Sequence, residues 1–189
     1  MLRHMSVDRQ FRNVALVGFM GAGKSTVGHV LAELLGFELV DTDKVIESRA
    51  GRRISEIFAT DGEAAFRQRE ADLVRELEQA NGRVISAGGG LVLNPDNFVS
   101  LRGHSLVACL WASPETIYER VRHQGHRPLL QTPDPLGRIR ELLVHRAPFY
   151  KQADLLVGVD FRAPLETARF IAAAFRRYRA EHAAAQPAT

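Results

Sequence analysis

A glycine-rich loop between a short apolar run and an amphipathic segment constrains the fold of this chain more than any other feature. Residues 14–26 read VALVGFMGAGKST and contain the pattern G-x-x-x-x-G-K-S from Gly18 to Ser25. A loop of this kind surrounds a polyphosphate with backbone N–H groups, and its glycines let the backbone approach closely. Lys24 then supplies a charge to the phosphates, and the Ser25 hydroxyl is placed to bind Mg²⁺. The loop therefore predicts a phosphate-binding site.

The residues on both sides of this loop predict a strand before it and a helix after it. Residues 14–17 are apolar, and apolar residues recur from Val27 to Leu35 at the spacing of one helix face, with Gly36 as the helix stop. This order places the positive end of a helix dipole at the bound anion. A glycine-rich turn without a ligand is the alternative, and Lys-Ser at the helix start argues against it. A dinucleotide fingerprint does not fit, because no G-x-G-x-x-G is present here.

Composition places the chain among small globular enzymes. Its 189 residues suit one α/β domain, and 46% hydrophobic with 25% charged residues is ordinary for a soluble enzyme. The net charge of +3 is small and no basic block carries interleaved aromatics, which favours anionic small molecules over nucleic acid as partners. The single cysteine, Cys109, lies in an apolar run and fits a reducing compartment. No segment has the pattern of a secretory signal or membrane span, so we expect a cytoplasmic protein.

Hydrophobic patterns alternate between strands and helices along the chain. Strands are expected at residues 14–17, 37–40, 83–86, 105–112 and 154–160, with helices between them, including residues 136–144 and 164–179. The alternation predicts a three-layer α/β sandwich with a five-stranded parallel sheet, whose ligands gather at the carboxyl ends of the strands. We expect one domain over residues 13–180, a flexible extension over residues 1–12 and a flexible tail over residues 181–189.

Two carboxylates, Asp41 and Asp43, follow the second strand. One of them can hold a Mg²⁺-bound water while the other accepts a proton from a substrate hydroxyl. The alternative is that one carboxylate caps the helix that begins near Lys44. We expect their side chains to point to opposite sides and to have different roles.

Further anion-binding candidates follow, each with a structural alternative. Arg67 is either half of an ion pair with Glu70 on a helix face or a carboxylate clamp beside Phe58 and Phe66. Arg146 is either a second clamp or a partner of a helix dipole. Three glycines at residues 88–90, directly after a strand, indicate close approach by a substrate or phosphate, with a tight turn as the alternative.

A stretch rich in glycine and proline, residues 122–137, predicts a mobile lid. Arg120 and Arg127 flank or lie within it. An arginine on a closing lid neutralises charge on the γ-phosphate and excludes water from the site.

Taken together and in this order, the motifs resemble those of the shikimate kinase family, over residues 13–172. The resemblance rests on GFMGAGKST at 18–26, DTD at 41–43, EIF at 56–58 with FRxxE at 66–70, SxGGG at 86–90, RPLL at 127–130 and RAPFY at 146–150. It implies the P-loop NTPase fold and transfer of the ATP γ-phosphate to the 3-hydroxyl of shikimate, with Mg²⁺, in the pathway to aromatic amino acids. Shikimate and ATP are the implied partners, and we expect a monomer.

The resemblance also implies a role for each matching residue. Asp43 would act as the base, with Lys24 and Arg127 as the other catalytic groups, and Asp41 and Ser86 would support a metal on Ser25 through water. The substrate-binding residues would be Asp43, Phe58, Phe66, Arg67, Gly88, Gly89, Gly90 and Arg146. The ATP-binding residues would be Gly21, Ala22, Gly23, Lys24, Ser25, Thr26, Arg120, Arg127 and, across an alignment gap, Arg162.

Three other functions share part of this pattern. A kinase of another small polyol acid, such as gluconate, has the same loop, but the three glycines and paired arginines argue against it. A nucleoside-monophosphate kinase shares the phosphate loop, but it would be expected to have more lid arginines, and a base-binding pocket in place of D-x-D and GGG. A nucleotide-sensing module without catalysis is the alternative from another class, and the presence of Lys24, Ser25, Asp43 and Arg127 argues against it.

Overall fold

A five-stranded parallel sheet forms the centre of the protein. The computed structural model describes residues 9–123 and 132–185. The sheet has the order β2-β3-β1-β4-β5 and every neighbouring pair is parallel, which confirms the predicted architecture. Its strands are β1 (Asn13–Val17), β2 (Glu38–Asp41), β3 (Arg83–Ser86), β4 (Ser105–Trp111) and β5 (Leu155–Gly158).

Helices flank this sheet and supply the outer layers. They are α1 (Lys24–Leu35), α2 (Thr42–Ala50), α3 (Ile54–Thr60), α4 (Gly62–Leu77), α5 (Pro95–His104), α6 (Pro114–Val121), α7 (Pro135–Tyr150) and α8 (Pro164–Ala185). The central strands β1 and β4 are apolar on both faces because helices pack against both sides of them. None of the described helices is long and apolar enough to cross a membrane.

Helix α7 extends six residues beyond the predicted end at residue 144. Pro148 lies inside its last turn, where proline removes a backbone hydrogen bond. The helix continues because Leu143, Arg146 and Tyr150 are buried on one face, so tertiary packing outweighs the cost of the proline. As a result, Arg146 and Tyr150 lie one turn apart and face the same part of the molecule.

Described residues near both ends of the chain belong to the segments that were predicted to be flexible. Residues 9–12 belong to the predicted flexible extension, yet Phe11 is buried and packs edge-on against Tyr178, with ring centroids 5.4 Å apart. Arg9 forms an ion pair of 2.6 Å with Asp154, which precedes β5. At the other end, α8 runs through residue 185, five residues into the predicted tail, because its alanines favour the helix.

The carboxyl ends of the strands bring the predicted site segments to one edge of the sheet. Asp41 at the end of β2 is paired with Ser86 at the end of β3. Ser86 is in turn aligned with Leu16 of β1, one residue before the last of that strand. The phosphate loop, the DTD segment and the three glycines therefore start from adjacent positions, as the predicted topology requires.

Candidate active site

The loop between β1 and α1 has the geometry of a phosphate-binding loop. Gly18 has φ +135° and lies against the backbone carbonyl of Leu110, where a Cβ atom would collide with the oxygen. Gly23 precedes α1 in the left-handed region, with φ +96°. The Lys24 Nζ donates to the carbonyls of Gly18 and Phe19, each at 2.9 Å. The ammonium group is thus held over the loop, at the N-terminus of α1.

Asp41 caps α2, which was one of the alternatives for the two carboxylates, and it also contacts the phosphate loop. Its Oδ2 accepts a hydrogen bond of 2.8 Å from the Ser25 hydroxyl, and its Oδ1 accepts one of 3.3 Å from the backbone N–H of Lys44, which caps α2. Ser86 lies next to Asp41 at the end of the neighbouring strand. Among the described residues, no cluster of three or more His, Cys, Asp or Glu side chains could bind a metal ion. Two protein oxygens beside a phosphate loop fit Mg²⁺, which keeps several of its waters.

The expected placement of Asp41 and Asp43 on opposite sides is wrong. Side chains two positions apart on an extended chain share one face, and Asp43 lies in a helix rather than on a strand. The chain enters α2 at Thr42, which puts Asp43 in the first turn of the helix, where the helix dipole favours a negative charge. Asp43 and Asp41 line the same cleft. The Asp43 Oδ1 lies directly against Gly88, where a Cβ atom on that residue would collide with it.

Arg67 forms the ion pair with Glu70 that was one of the two alternatives for it, and it also lies against the three-glycine segment. Its Nη1 pairs with Glu70 at 2.7 Å and its Nη2 with Glu63 at 2.8 Å. The same guanidinium lies against Gly90, 2.8 Å from the position of a Cβ there. Burial raises the pKa of Glu70, against the opposing effect of Arg67. The ion pair therefore holds Arg67 at the end of the three-glycine segment.

Arg146 approaches the three glycines from α7. Only 8% of the residue is exposed, its Nη1 donates to the Gly89 carbonyl at 3.3 Å, and its guanidinium lies 5.3 Å from the centroid of the Phe19 ring. The side chain is thus directed at the site. Two guanidinium groups, from α4 and α7, both contact the glycine segment.

Phe58 and Phe66 pack against each other near Arg67, with ring centroids 4.9 Å apart. Phe66 is buried, whereas Phe58 is 37% exposed. The Arg67 guanidinium lies 5.4 Å from the centroid of the Phe66 ring. The pair forms an aromatic wall next to the guanidinium.

A cleft of about 500 Å³ connects the phosphate loop to the glycine segment. Arg120 bridges its walls, because its guanidinium donates to the carbonyls of Gly21 at 3.3 Å and Val159 at 3.2 Å. Arg162 also lines the cleft, beside Phe170, whose ring centroid is 5.4 Å from the guanidinium. The lining residues are Met20, Gly21, Ala22, Gly23, Lys24, Ser25, Thr26, Val27, Asp41, Asp43, Ser86, Ala87, Gly89, Arg120, Val159, Arg162, Pro164 and Thr167.

Several predicted or contributing residues need separate mention. Arg127 and residues 124–131 of the predicted lid lie outside the described part of the chain. Sequence reasoning assigned no role to Val159, Pro164 and Thr167, which line the cleft without belonging to a motif. It also assigned none to Thr42, Glu70 and Tyr150, although these residues belong to the motifs DTD, FRxxE and RAPFY.

Comparison with known proteins places this chain beside one group of enzymes. A family model described as shikimate kinase matches residues 20–175. A shikimate kinase of Symbiobacterium thermophilum is 51% identical over 143 residues, which are 75% of this chain and 82% of that protein. One from Thermodesulfovibrio yellowstonii is 41% identical over 166 residues, covering 88% of this chain and 96% of that protein.

Solved structures show the same similarity. The shikimate kinase of Acinetobacter baumannii in complex with shikimate superposes with a TM-score of 0.84 and 36% identity, covering 89% of this chain and 95% of that one. A gluconokinase from Sinorhizobium meliloti gives a TM-score of 0.56 at 19% identity, covering 92% of this chain and 97% of that one. The similarity to the gluconokinase shows only that the two proteins share a fold.

Proposed function

The chain belongs to the shikimate kinase family, and we propose that it transfers the γ-phosphate of ATP to the 3-hydroxyl of shikimate. The products are shikimate 3-phosphate and ADP, in the pathway to aromatic amino acids. One observation carries the choice of acceptor: two guanidinium groups and the Asp43 carboxylate all contact the segment of Gly88, Gly89 and Gly90. Shikimate offers matching groups, a carboxylate and ring hydroxyls.

In this proposal, the acceptor lies between Arg67, Arg146 and the three glycines. A planar carboxylate is bound well by guanidinium groups, which donate two parallel hydrogen bonds. The aromatic wall of Phe58 and Phe66 packs on the apolar part of the ring. Asp43 then faces the hydroxyl that reacts.

The nucleotide occupies the remainder of the cleft. Backbone N–H groups of residues 21–26 and the Lys24 ammonium bind the phosphates, and Arg120 with Arg162 lies on the adenine side. Ser25 would hold a Mg²⁺ ion, with Asp41 and Ser86 supporting it through water, and the ion would neutralise phosphate charge. The resemblance assigns the charge of Arg127, which lies outside the described residues, to the γ-phosphate.

The chemical step requires one proton acceptor and accurate placement. As the hydroxyl oxygen bonds to the γ-phosphorus, the bond from that phosphorus to the β–γ bridging oxygen breaks, and the hydroxyl proton passes to Asp43. Lys24 stabilises the charge that develops on the phosphate oxygens. Positioning and charge neutralisation supply most of the rate in phosphoryl transfer. We further propose that the protein works as a cytoplasmic monomer.

Release of ADP from Mg-ATP tests this function directly, with shikimate, gluconate, a nucleoside monophosphate or no acceptor. We expect turnover with shikimate alone. Turnover only with another acceptor would contradict the assignments of Asp43, Arg67 and Arg146, and no turnover would favour a nucleotide sensor.

Asp43→Asn separates the kinase from the sensor. Removing the proton acceptor is expected to lower kcat by about 100-fold or more, while ATP binding stays unchanged. Asp72→Asn is the matched control, because Asp72 is an exposed carboxylate that pairs with Arg75 on α4. Equal activity of the Asp43 and Asp72 variants would exclude Asp43 as the base.

A further inference from the structure

Two buried hydroxyl groups anchor the glycine turn, as we name the segment of Gly88, Gly89 and Gly90. The Thr42 Oγ1 accepts the backbone N–H of Gly88 at 2.8 Å and lies 3.4 Å from the carbonyl of Ser86, to which it donates. The Tyr150 hydroxyl donates to the carbonyl of Gly89 at 2.7 Å. The two anchors come from different elements, Thr42 from α2 and Tyr150 from α7, and both are almost completely buried.

The two hydroxyls complete a set of hydrogen bonds along the turn. The Gly88 carbonyl accepts from Leu91 N at 3.0 Å, and the Gly90 carbonyl accepts from Leu93 N at 3.1 Å. Each peptide group of the turn therefore has at least one hydrogen-bond partner. Because a peptide group is planar and trans, holding the Gly89 carbonyl also directs the Gly90 N–H to the opposite side. Glycines need such anchors, since their backbone has the widest conformational freedom.

Tyr150 and Arg146 share one hydrogen-bond acceptor, because both side chains donate to the carbonyl of Gly89. The contact from Tyr150 is 2.7 Å, whereas that from Arg146 is 3.3 Å, so the phenol is the closer donor. Burial raises the pKa of Tyr150 to about 12, against the opposing charge of Arg146. The phenol therefore stays protonated at any working pH. Without it, the carbonyl would be left to the Arg146 guanidinium alone.

We propose that Thr42 and Tyr150 are positioning residues, whose hydroxyls set the orientation of the glycine turn against Asp43 and Arg146. The inference rests on the proposed function in one respect, namely that the turn contacts the acceptor. The two hydroxyls affect acceptor binding through the backbone of the turn. They do not affect binding of the nucleotide phosphates, which contact the loop at residues 18–25.

Tyr150→Phe removes one hydroxyl and keeps the packing of the ring. We expect the KM for shikimate to rise about five- to tenfold, because one hydrogen bond is lost. The KM for ATP should change less than about twofold. Tyr178→Phe is the matched control, because Tyr178 packs on Phe11, which lies just before the amino end of β1. This variant should leave both KM values unchanged.

Substitutions of Thr42 test the other anchor and include a rescue. Thr42→Val keeps the shape but removes the acceptor for the Gly88 N–H, so the KM for shikimate should rise as in Tyr150→Phe. Thr42→Ser keeps the oxygen and should retain a KM near that of the wild type. Equal rises in Thr42→Val and Thr42→Ser, or equal rises of both KM values in Tyr150→Phe, would overturn the inference.

Amide NMR of the turn gives a readout that does not depend on the acceptor. We expect faster hydrogen exchange of the Gly88 amide in Thr42→Val, by at least about tenfold, and a changed Gly90 amide resonance in Tyr150→Phe. Unchanged glycine amides in both variants would overturn the inference. Failure of the proposed function would show separately, as wild-type protein that does not phosphorylate shikimate.

Discussion

Burial decides the charge state of His104, which ends α5 beside the sheet. The residue is 2% exposed, and its Nδ1 lies 3.0 Å from the Asn13 Nδ2 and 3.0 Å from the Ser105 Oγ. The Asn13 amide donates to this nitrogen, since its own carbonyl oxygen already accepts from Arg83 N at 2.9 Å. Burial first, and then the charge of Arg12, lower the pKa of His104 to about 4. His104 is therefore neutral in the folded protein at neutral pH.

This buried histidine predicts a loss of stability in mild acid. The pKa of His104 is about 4 in the folded protein and 6.5 in the unfolded chain. The contribution of neutral His104 to the free energy of unfolding is therefore complete above pH 6.5 and is lost as the pH falls towards 4. Between pH 7.5 and 4.5 the free energy of unfolding should fall by about 2–3 kcal/mol on account of His104.

Urea unfolding of the wild type and His104→Gln at these two pH values measures the effect. The variant cannot titrate at this position, so its free energy of unfolding should fall less between the two pH values. His29→Gln, at an exposed histidine of α1, serves as the control and should behave like the wild type. An equal loss in the wild type and His104→Gln would rule out this origin of the pH dependence.

At the scale of elements, one carboxylate joins the N-terminal segment to the sheet. Asp154, which precedes β5, accepts from both terminal nitrogens of Arg9 at 2.6 and 2.7 Å, and from the backbone N–H of Val107 in β4 at 2.9 Å. Arg9 also donates to the carbonyls of Arg102 and Ser105. The Asp154 side chain is only 5% exposed, so its charge depends on these partners.

Removing Arg9 is expected to destabilise the fold without affecting catalysis. Arg9→Ala leaves a buried carboxylate without its main partner, which should cost about 2–3 kcal/mol of unfolding free energy. Arg49→Ala is a matched control, because Arg49 binds Glu76 through the same two nitrogens while both side chains are 54% exposed. The control should cost less than about 1 kcal/mol.

Denaturant unfolding and steady-state kinetics of the two variants check this prediction. Both should retain the KM values and kcat of the wild type, because neither arginine lies in the cleft. An Arg9→Ala variant no less stable than Arg49→Ala would show that the N-terminal segment adds little to the fold.

At the scale of the whole molecule, one buried core runs through both layers of helices. Buried residues of α3 and α4, such as Ile57, Phe66 and Leu73, belong to the same core cluster as the strands and Phe175 of α8. Helix α4, which carries Arg67, and helix α3 are thus not a separate body. A single core favours cooperative unfolding of the described chain.

Two spectroscopic probes should therefore report one unfolding transition. Trp111, the single tryptophan, lies at the end of β4, so its fluorescence reports on the sheet, while far-UV circular dichroism reports mainly on the helices. We expect coincident urea midpoints, which ATP and shikimate raise together. Separate midpoints would show that α2–α4 unfolds independently of the sheet.

The architecture was predictable because its signals are local. Strand and helix patterns alternate over short windows, and the glycine loop has its own residue signature between β1 and α1. Predictions failed where a packing contact outweighed a local rule. Pro148 predicts a helix end, but the buried face of α7 keeps the helix intact through Tyr150.

For the site, the sequence alone determined which segments meet and which side chains bear charge, because parallel strands bring their carboxyl ends to one edge. Only the tertiary structure decided which polar groups pair. Thr42 and the Gly88 amide are 46 residues apart, the Gly89 carbonyl and Tyr150 are 61 apart, and Arg9 and Asp154 are 145 apart. A buried polar group must find a partner, but burial is a property of the packed chain, so no local pattern predicts which partner it finds.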